Sequence, residues 1–158
     1  MFISFNLSSF DKRNIIFSDK TKNNVLQKGD FYRMYYSDHL LALNGAYIYF
    51  PLSDVSIEPY FNKLKCNFNK KKNTGVIEQL KQIEKDILNC LDMDKTPIYR
   101  IEEQLSQSFI KIYADTQLNN IKKKDKIEIL LKVSGIWDNQ YEYGITFRFF
   151  FIHPSEMK

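Results

Sequence analysis

The sequence has too few cysteines and histidines for a metal centre or a disulfide framework. Its two cysteines, Cys66 and Cys90, have no repeated spacing, and its two histidines, His39 and His153, lie far from both. Structural metal sites need three or four such ligands at short spacings, and disulfide-stapled domains need several cysteines. We therefore predict that the protein holds neither a metal nor another cofactor.

Long apolar runs are also missing. The N-terminal stretch MFISFNLSSFDKRN has no basic segment followed by an apolar core, and no stretch approaches the roughly 18 consecutive apolar residues of a membrane-spanning helix. We expect an intracellular protein that is neither secreted nor inserted in a membrane.

Catalytic motifs are scarce. Ser134-Gly135 is not part of a nucleophile elbow, and residues 72–75 (KNTG) lack the arrangement of glycines, lysine and threonine of a phosphate-binding loop. His39 follows Asp38 and could be a catalytic base oriented by that carboxylate. A histidine beside an aspartate is, however, more often a residue of a solvated loop. We predict that the protein is not an enzyme.

Aromatic and basic residues, in contrast, are plentiful. Thirteen Phe, ten Tyr and one Trp make up 15% of the chain, and 23 Lys and Arg against 19 Asp and Glu give a formal charge of +4. A small β-rich domain uses many rings in its core, and this charge permits an anionic partner without requiring one. The length of 158 residues and the hydrophobic content of 44% predict one folded domain, residues 1–158.

The clearest periodic pattern covers residues 126–152 (KIEILLKVSGIWDNQYEYGITFRFFFI). Residues 127–134 and 145–152 each place apolar side chains at alternate positions, and Asp138-Asn139-Gln140 between them is typical of a turn. This pattern predicts a β-hairpin with a loop longer than two residues. Gly135 and Gly144 inside the strands predict bulges or a close approach of another backbone.

The outer face of this hairpin mixes cations with rings. It would carry Lys132, Arg148 and Phe150 on the strands and Trp137, Tyr141 and Tyr143 around the turn. Strand parity allows Lys132 to stand opposite or diagonal to Arg148, and such a like-charge pair destabilises a sheet unless an anion binds beside it. Trp137 could be either a core anchor or an exposed platform for stacking.

The rest of the chain predicts several early strands, one amphipathic helix and one more strand. Helical periodicity is clear over residues 76–91, a second short helix is predicted over 98–107, and Asn44-Gly45 is typical of a hairpin turn. The further strand patterns cover residues 2–7, 14–17, 31–36, 40–43, 46–50, 61–69 and 108–113. In the strand at 61–69, Lys63 and Lys65 would share one face. The buried face of the 109–113 strand stays open, because both faces carry apolar groups.

This order of elements predicts an α+β, mainly β fold. The specific form that we expect is an OB-like five-stranded barrel, with the amphipathic helix between the early strands and the closing hairpin; in such barrels a helix often lies between the third and fourth strands. A generic α+β sheet with the helix packed on one face is the alternative.

The last third of the chain also predicts a nucleic-acid-binding surface. Cations can follow phosphates while rings stack on bases, and each stacked base contributes roughly 1–3 kcal/mol. The residues that we expect to contact nucleic acid are Lys111, Tyr113, Lys122, Lys123, Lys124, Lys132, Trp137, Tyr141, Tyr143, Arg148 and Phe150.

Two runs in this part of the chain resemble a known family. Residues 131–137 (LKVSGIW) and 143–149 (YGITFRF) resemble the closing hairpin of OB-fold single-stranded-DNA-binding proteins of phages and large DNA viruses, and residues 96–99 and 110–113 are also similar. The resemblance covers about the last 60 residues and implies a protein that coats single strands in replication or recombination, in the host nucleus or cytoplasm. Its matching positions include Lys132, Trp137 and Arg148.

The resemblance does not extend to the end of the sequence. Many proteins of this family end in an acidic tail that recruits partners, whereas this sequence ends in HPSEMK, so we do not expect recruitment through a tail. The predicted partner is single-stranded DNA, with RNA possible, and a homo-oligomer is also possible. The alternative function is a protein-interaction or viral structural subunit whose aromatic face forms an oligomer interface.

Overall fold

The computed structural model of the chain describes residues 4–22, 29–38, 40, 42–113 and 123–152. In this part of the chain, strand makes up 55% of the residues and helix 24%, so the prediction of a mainly β fold is confirmed. The strands are β1 (Phe5–Asn6), β2 (Ile15–Phe17), β3 (Thr21–Lys22), β4 (Asp30–Ser37), β5 (Ala42–Asn44), β6 (Ala46–Tyr60), β7 (Lys63–Phe68), β8 (Thr96–Ile98), β9 (Phe109–Tyr113), β10 (Lys123–Asp138) and β11 (Glu142–Phe151). The α-helices are α1 (Thr74–Asn89) and α2 (Arg100–Ser106), and neither is long and apolar enough to cross a membrane.

Five of the strands pair in a closed cycle. Their order is β6, β7, β9, β11 and β10, and β10 pairs back with β6. All of these pairs are antiparallel except β9 with β11, which is parallel. The long strand β6 makes the closure possible, because its first part pairs with β10 and its second part with β7. Asp54, with a φ of 54°, lies at the changeover, where this conformation lets the strand bend.

The core lies inside this cycle and under α1. Alternate residues of β6 and β10 point inward, and Ile48, Phe50, Ile129 and Leu131 are completely buried. The apolar face of α1 joins the same cluster through Ile77, Leu80, Ile83, Ile87 and Leu88, as its periodicity predicted. In β9, Ile110 and Ile112 are buried, which assigns the inner face of that strand. The outer face of β9 therefore carries Phe109, Lys111 and Tyr113.

The other strands flank the cycle. β1 pairs with β6, β4 pairs with the end of β10, β8 pairs with the start of β11, and β2, β3 and β5 pair with β4. The predicted hairpin turn at Asn44-Gly45 is wrong, because β5 pairs with β4 whereas β6 pairs with β10. Gly45 does turn the chain sharply, with a φ of 98°, but the turn connects β5, which pairs with β4, to β6, which pairs with β10. Local turn chemistry cannot distinguish these outcomes.

The predicted closing hairpin is confirmed. In β10 and β11, Lys132 stands directly opposite Arg148, and the register shifts between Val133 and Gly135, which is the expected bulge. A Cβ atom on Gly135 would lie 2.2 Å from the backbone oxygen of Tyr32. The glycine is therefore required for β4 to pack against β10.

We expect Gly135→Ala to destabilise the protein by about 2–4 kcal/mol, because the new methyl group must push β4 away from β10. Urea unfolding followed by circular dichroism measures the change. Gly75→Ala is the matched control: no atom lies within 4 Å of its Cβ position in α1, so alanine should be neutral or stabilise by up to about 1 kcal/mol. Equal losses in both variants would contradict the steric account.

Candidate nucleic-acid interface

The candidate site lies where β11 lacks a strand neighbour on one side. β11 pairs in parallel with β8 from Glu142 to Gly144 and with β9 at Phe149 and Phe150. Among the pairings of the described residues, residues 145–148 have a partner only in β10. Between β8 and β9 the chain forms α2 instead of a continuous strand, and α2 borders the gap. The gap opens as a groove.

This groove has a volume of about 320 Å³, and its walls come from β7, β9, β10, β11 and α2. The residues that line it are Lys63, Arg100, Gln104, Lys111, Tyr113, Trp137, Ile145, Thr146, Phe147, Arg148 and Phe149. Four of them are cations and none is a carboxylate. Within the described part of the chain, no ion pair involves any of these four cations, Lys63, Arg100, Lys111 and Arg148. Their charges are therefore available to an anionic ligand.

Tyr113 is the centre of one end of the groove. The Lys63 ammonium lies 4.4 Å from the centre of its ring and the Arg148 guanidinium 4.9 Å from it. The ring of Phe150 lies beside it, with 6.2 Å between the ring centres, because the two residues are register partners in β9 and β11. The sheet register thus brings together two predicted rings and a predicted cation.

A second row of cations and rings continues along β7 and β9. The Lys65 ammonium lies 4.5 Å from the centre of the Phe109 ring, and the Lys111 ammonium lies 5.4 Å from that of Tyr60. Lys65 and Lys111 stand directly opposite each other, as Lys132 and Arg148 do in β10 and β11. Like charges in direct opposition destabilise a sheet, so the outer face concentrates positive charge at a cost in stability.

The other end of the groove is formed by Trp137, which is only 7% exposed. The Arg100 guanidinium lies 4.8 Å from the centre of its ring, and the ring lies across Gly144, where a Cβ atom would come within 2.8 Å of it. A close approach was predicted at Gly144, and the group that approaches it is the Trp137 side chain, not another backbone. Among the described residues, the indole Nε1 has no hydrogen-bond partner.

The three aromatic residues around the turn of the closing hairpin were expected on its outer face, and this expectation is corrected for two of them. Trp137 and Tyr143 are both buried, and only Tyr141 is exposed there, at 71%. The cause is the flanking strands, since β4 pairs with β10 as far as Trp137 and β8 pairs with β11 at Tyr143. Periodicity within the hairpin contains no information about these neighbours.

Other predicted contact residues lie apart from the groove. Lys132 is one strand away, beside Arg148, with its ammonium 5.8 Å from the centre of the Tyr47 ring. Lys123 and Lys124 begin β10 and pair with Ser56 and Val55 of β6. Lys122 lies outside the described residues. The structure therefore unites Lys111, Tyr113, Arg148 and Phe150 at one end and places Trp137 at the other.

Three basic residues of this surface were not predicted as contacts: Lys63 and Arg100, which line the groove, and Lys65, which stands opposite Lys111. Lys63 and Lys65 repeat at alternate positions after Phe61, much as Lys111 alternates with Phe109 and Tyr113, and this matching pattern was a usable signal. Arg100 had no comparable signal, because only the packing of α2 places it on Trp137.

Glu84 fixes the position of α2. It is completely buried on α1, and its two carboxylate oxygens each accept a backbone hydrogen bond of 2.9 Å, from the N–H groups of Ile101 and Glu102. On the other side of α2, the Gln104 side chain accepts a hydrogen bond of 3.0 Å from the Lys111 N–H group. These hydrogen bonds hold Arg100, the first residue of α2, at the groove. Burial raises the pKa of the Glu84 carboxyl, although the two N–H donors lower it.

We expect the stability difference between wild type and Glu84→Gln to depend on pH. A raised folded-state pKa means that the folded protein binds the proton more tightly than the unfolded chain does. As the pH falls from 7 to 5, wild type should therefore gain stability relative to Glu84→Gln, which does not titrate. Urea unfolding of both proteins across this range measures the difference, and a constant or opposite trend would contradict the assignment.

Comparisons with known proteins do not place the chain in a family. No protein-family model matches the sequence, no curated protein is similar to it, and no solved structure matches it. The resemblance to single-stranded-DNA-binding proteins of phages and large DNA viruses therefore stays a prediction. The geometry and charge of the groove are the observations that bear on function.

Proposed function

We propose that this protein binds single-stranded nucleic acid, specifically single-stranded DNA in replication or recombination, with little dependence on base sequence. The observation that carries the proposal is the groove whose four cations form no ion pair with any described residue and meet aromatic rings, with no carboxylate in the lining. Phosphates would replace the missing anions and release their own counterions, while bases stack on rings in any sequence context. A duplex hides the faces of its bases, so only a single strand uses both features.

The pairing pattern supports an OB-like barrel as the scaffold. The cycle of β6, β7, β9, β10 and β11 has the five strands of such a barrel, and oligonucleotides bind such barrels on the face of the second and third strands and at the loops after the first and fourth. The second and third strands of the cycle, in chain order, are β7 and β9, and they would supply this face with their rows of lysines and rings. The two loops carry Phe61, which is 92% exposed, and Tyr141.

One feature departs from the expected arrangement. The helices α1 and α2 come between the second and third strands of the cycle, one connection earlier than in the barrels that guided the prediction. Because of this displacement, residues 145–148 of β11 have α2 beside them instead of a strand, and the groove forms there.

A second candidate function is self-association or binding of another protein. Large apolar side chains are exposed outside the groove, including Leu40 at 77% and Ile16 at 55%, and Ile16 stands directly opposite the exposed Tyr35 in β2 and β4. Sedimentation with and without oligonucleotide distinguishes the two functions. A tight oligomer that is insensitive to salt and ignores DNA would favour the second.

We expect Arg148→Ala and Lys111→Ala each to weaken binding of oligo-dT about 5- to 30-fold at low salt, because each removes a cation that neutralises a phosphate. The slope of log affinity against log salt should fall by about 0.7 for each phosphate that is no longer neutralised. Fluorescence anisotropy of a labelled oligonucleotide measures both. Lys12→Ala removes the same charge from an exposed position outside the groove and should change little. Salt-independent binding, or an equal loss of affinity in Lys12→Ala, would refute the proposal.

The ring of Tyr113 allows stacking to be tested separately from charge. Tyr113→Ala should weaken binding about 5- to 100-fold, whereas Tyr113→Phe keeps the ring and should bind as wild type does. The same anisotropy titration measures both variants. If Tyr113→Phe loses as much affinity as Tyr113→Ala, the hydroxyl and not the ring face binds the strand.

A further inference from the structure

Trp137 is buried in an unusual way. It is 7% exposed, yet it does not belong to the apolar cluster that forms the core. Its Nε1 is fully buried and has no hydrogen-bond partner among the described residues. Buried donors without partners are rare because each one loses its hydrogen bond to water. The indole is thus buried at the margin of the core, and its one polar group has no partner among the described residues.

Arg100 covers this indole without being tied to it. Its guanidinium lies 4.8 Å from the centre of the ring, and the residue is exposed. In the described part of the chain it forms no ion pair, and a cation at the start of a helix is electrostatically unfavourable. Stacking of a base on an aromatic ring contributes roughly 1–3 kcal/mol, which is comparable to a cation–ring contact, and a displaced guanidinium can pair with the phosphate of the same strand. A base can therefore displace the guanidinium.

The backbone beneath the indole is suited to such an exchange. Gly144 has no side chain, so the ring lies across β11, and a Cβ atom there would come within 2.8 Å of it. Meanwhile, Glu84 holds the first turn of α2 through the N–H groups of Ile101 and Glu102. The helix can stay in place while only the Arg100 side chain moves.

We propose that the Trp137 end of the groove is a site for one nucleotide of the bound strand and that Arg100 is its removable cover. The base displaces the guanidinium and stacks on the indole, an acceptor atom of the nucleotide takes the Nε1 hydrogen bond, and the guanidinium pairs with the phosphate. Lys111 and Arg148, which line the same groove, bind the neighbouring phosphates. This inference rests on the proposed function and adds to it a specific site and a moving residue.

The single tryptophan makes the site directly observable, because fluorescence excited at a wavelength that tyrosine does not absorb reports Trp137 alone. Wild type is titrated with oligo-dT, following tryptophan emission and, separately, the anisotropy of a labelled oligonucleotide. We expect emission to be quenched with the same midpoint as the anisotropy change. An oligomer of abasic sites keeps the phosphates but has no base to stack, so it should bind more weakly and leave emission nearly unchanged.

Arg100→Ala tests the cover. Without ligand, quenching of Trp137 by acrylamide should rise about two- to fivefold over wild type, because the guanidinium no longer shields the ring. Saturating oligo-dT should restore the protection. Arg13→Ala is the matched control, since it removes an exposed arginine outside the groove and should quench as wild type does.

The outcomes separate this inference from the proposed function. If anisotropy shows binding but Trp137 emission does not change, or if the abasic oligomer quenches equally, the nucleotide site is refuted and strand binding stands. If no oligonucleotide binds, both are refuted. If Arg100→Ala is folded by circular dichroism and leaves acrylamide quenching unchanged, Arg100 is not a cover. If Arg100→Ala does not fold, the titration of wild type still tests whether a base stacks on Trp137.

Discussion

The structure depends on β6, the long strand that pairs with both β10 and β7. β6 pairs with β10 from Ala46 to Ser56 and with β7 from Val55 to Tyr60, and Asp54, with its positive φ, lies just before the two pairings overlap. A strand that stayed straight would leave β7 and β9 on one side and the closing hairpin on the other. Because β6 bends, β9 comes beside β11, and their register places Tyr113 against Phe150. The candidate site exists only because the sheet closes on itself.

Closure also fixes where the positive charge lies. With the apolar rows of β7, β9, β10 and β11 turned inward, the alternate positions must point outward, and several of these are lysine or arginine. Lys65 then faces Lys111, and Lys132 faces Arg148. The ring contacts partly compensate for this repulsion, since each cation–ring pair at an exposed site contributes about 0.5–1 kcal/mol. A bound polyanion would compensate for it more fully.

The helices connect this surface to the core. The same face of α1 that buries Leu80 and Ile87 also carries Glu84, whose carboxylate holds the start of α2. α2 replaces the strand segment that would otherwise cover residues 145–148 of β11, and it brings Arg100 and Gln104 to the opening. A buried pair of hydrogen bonds therefore supports the geometry of an exposed groove.

The sequence by itself determined the elements whose signals are local. Alternation identified the closing hairpin and placed Lys132 opposite or diagonal to Arg148, helical periodicity identified α1, and the glycines at 135 and 144 indicated bulges or close approaches. Alternation also predicted two parts of the site separately, because it puts Lys111 and Tyr113 on one face of their strand and Arg148 and Phe150 on one face of theirs. Sequence parity did not reveal that these two faces meet.

What only the tertiary structure decided depends on neighbours that are distant in the chain. The turn at Asn44-Gly45 was assigned to the wrong pair of strands, because turn chemistry specifies a bend but not the partner of the next strand. Asp138 shows how distant such partners are, since it accepts a 2.9 Å hydrogen bond from the N–H group of Asp30, 108 positions earlier. Trp137 is buried because β4 and α2 cover it, and no pattern within the hairpin encodes that. Burial is a property of the whole assembled surface, whereas periodicity describes one segment at a time.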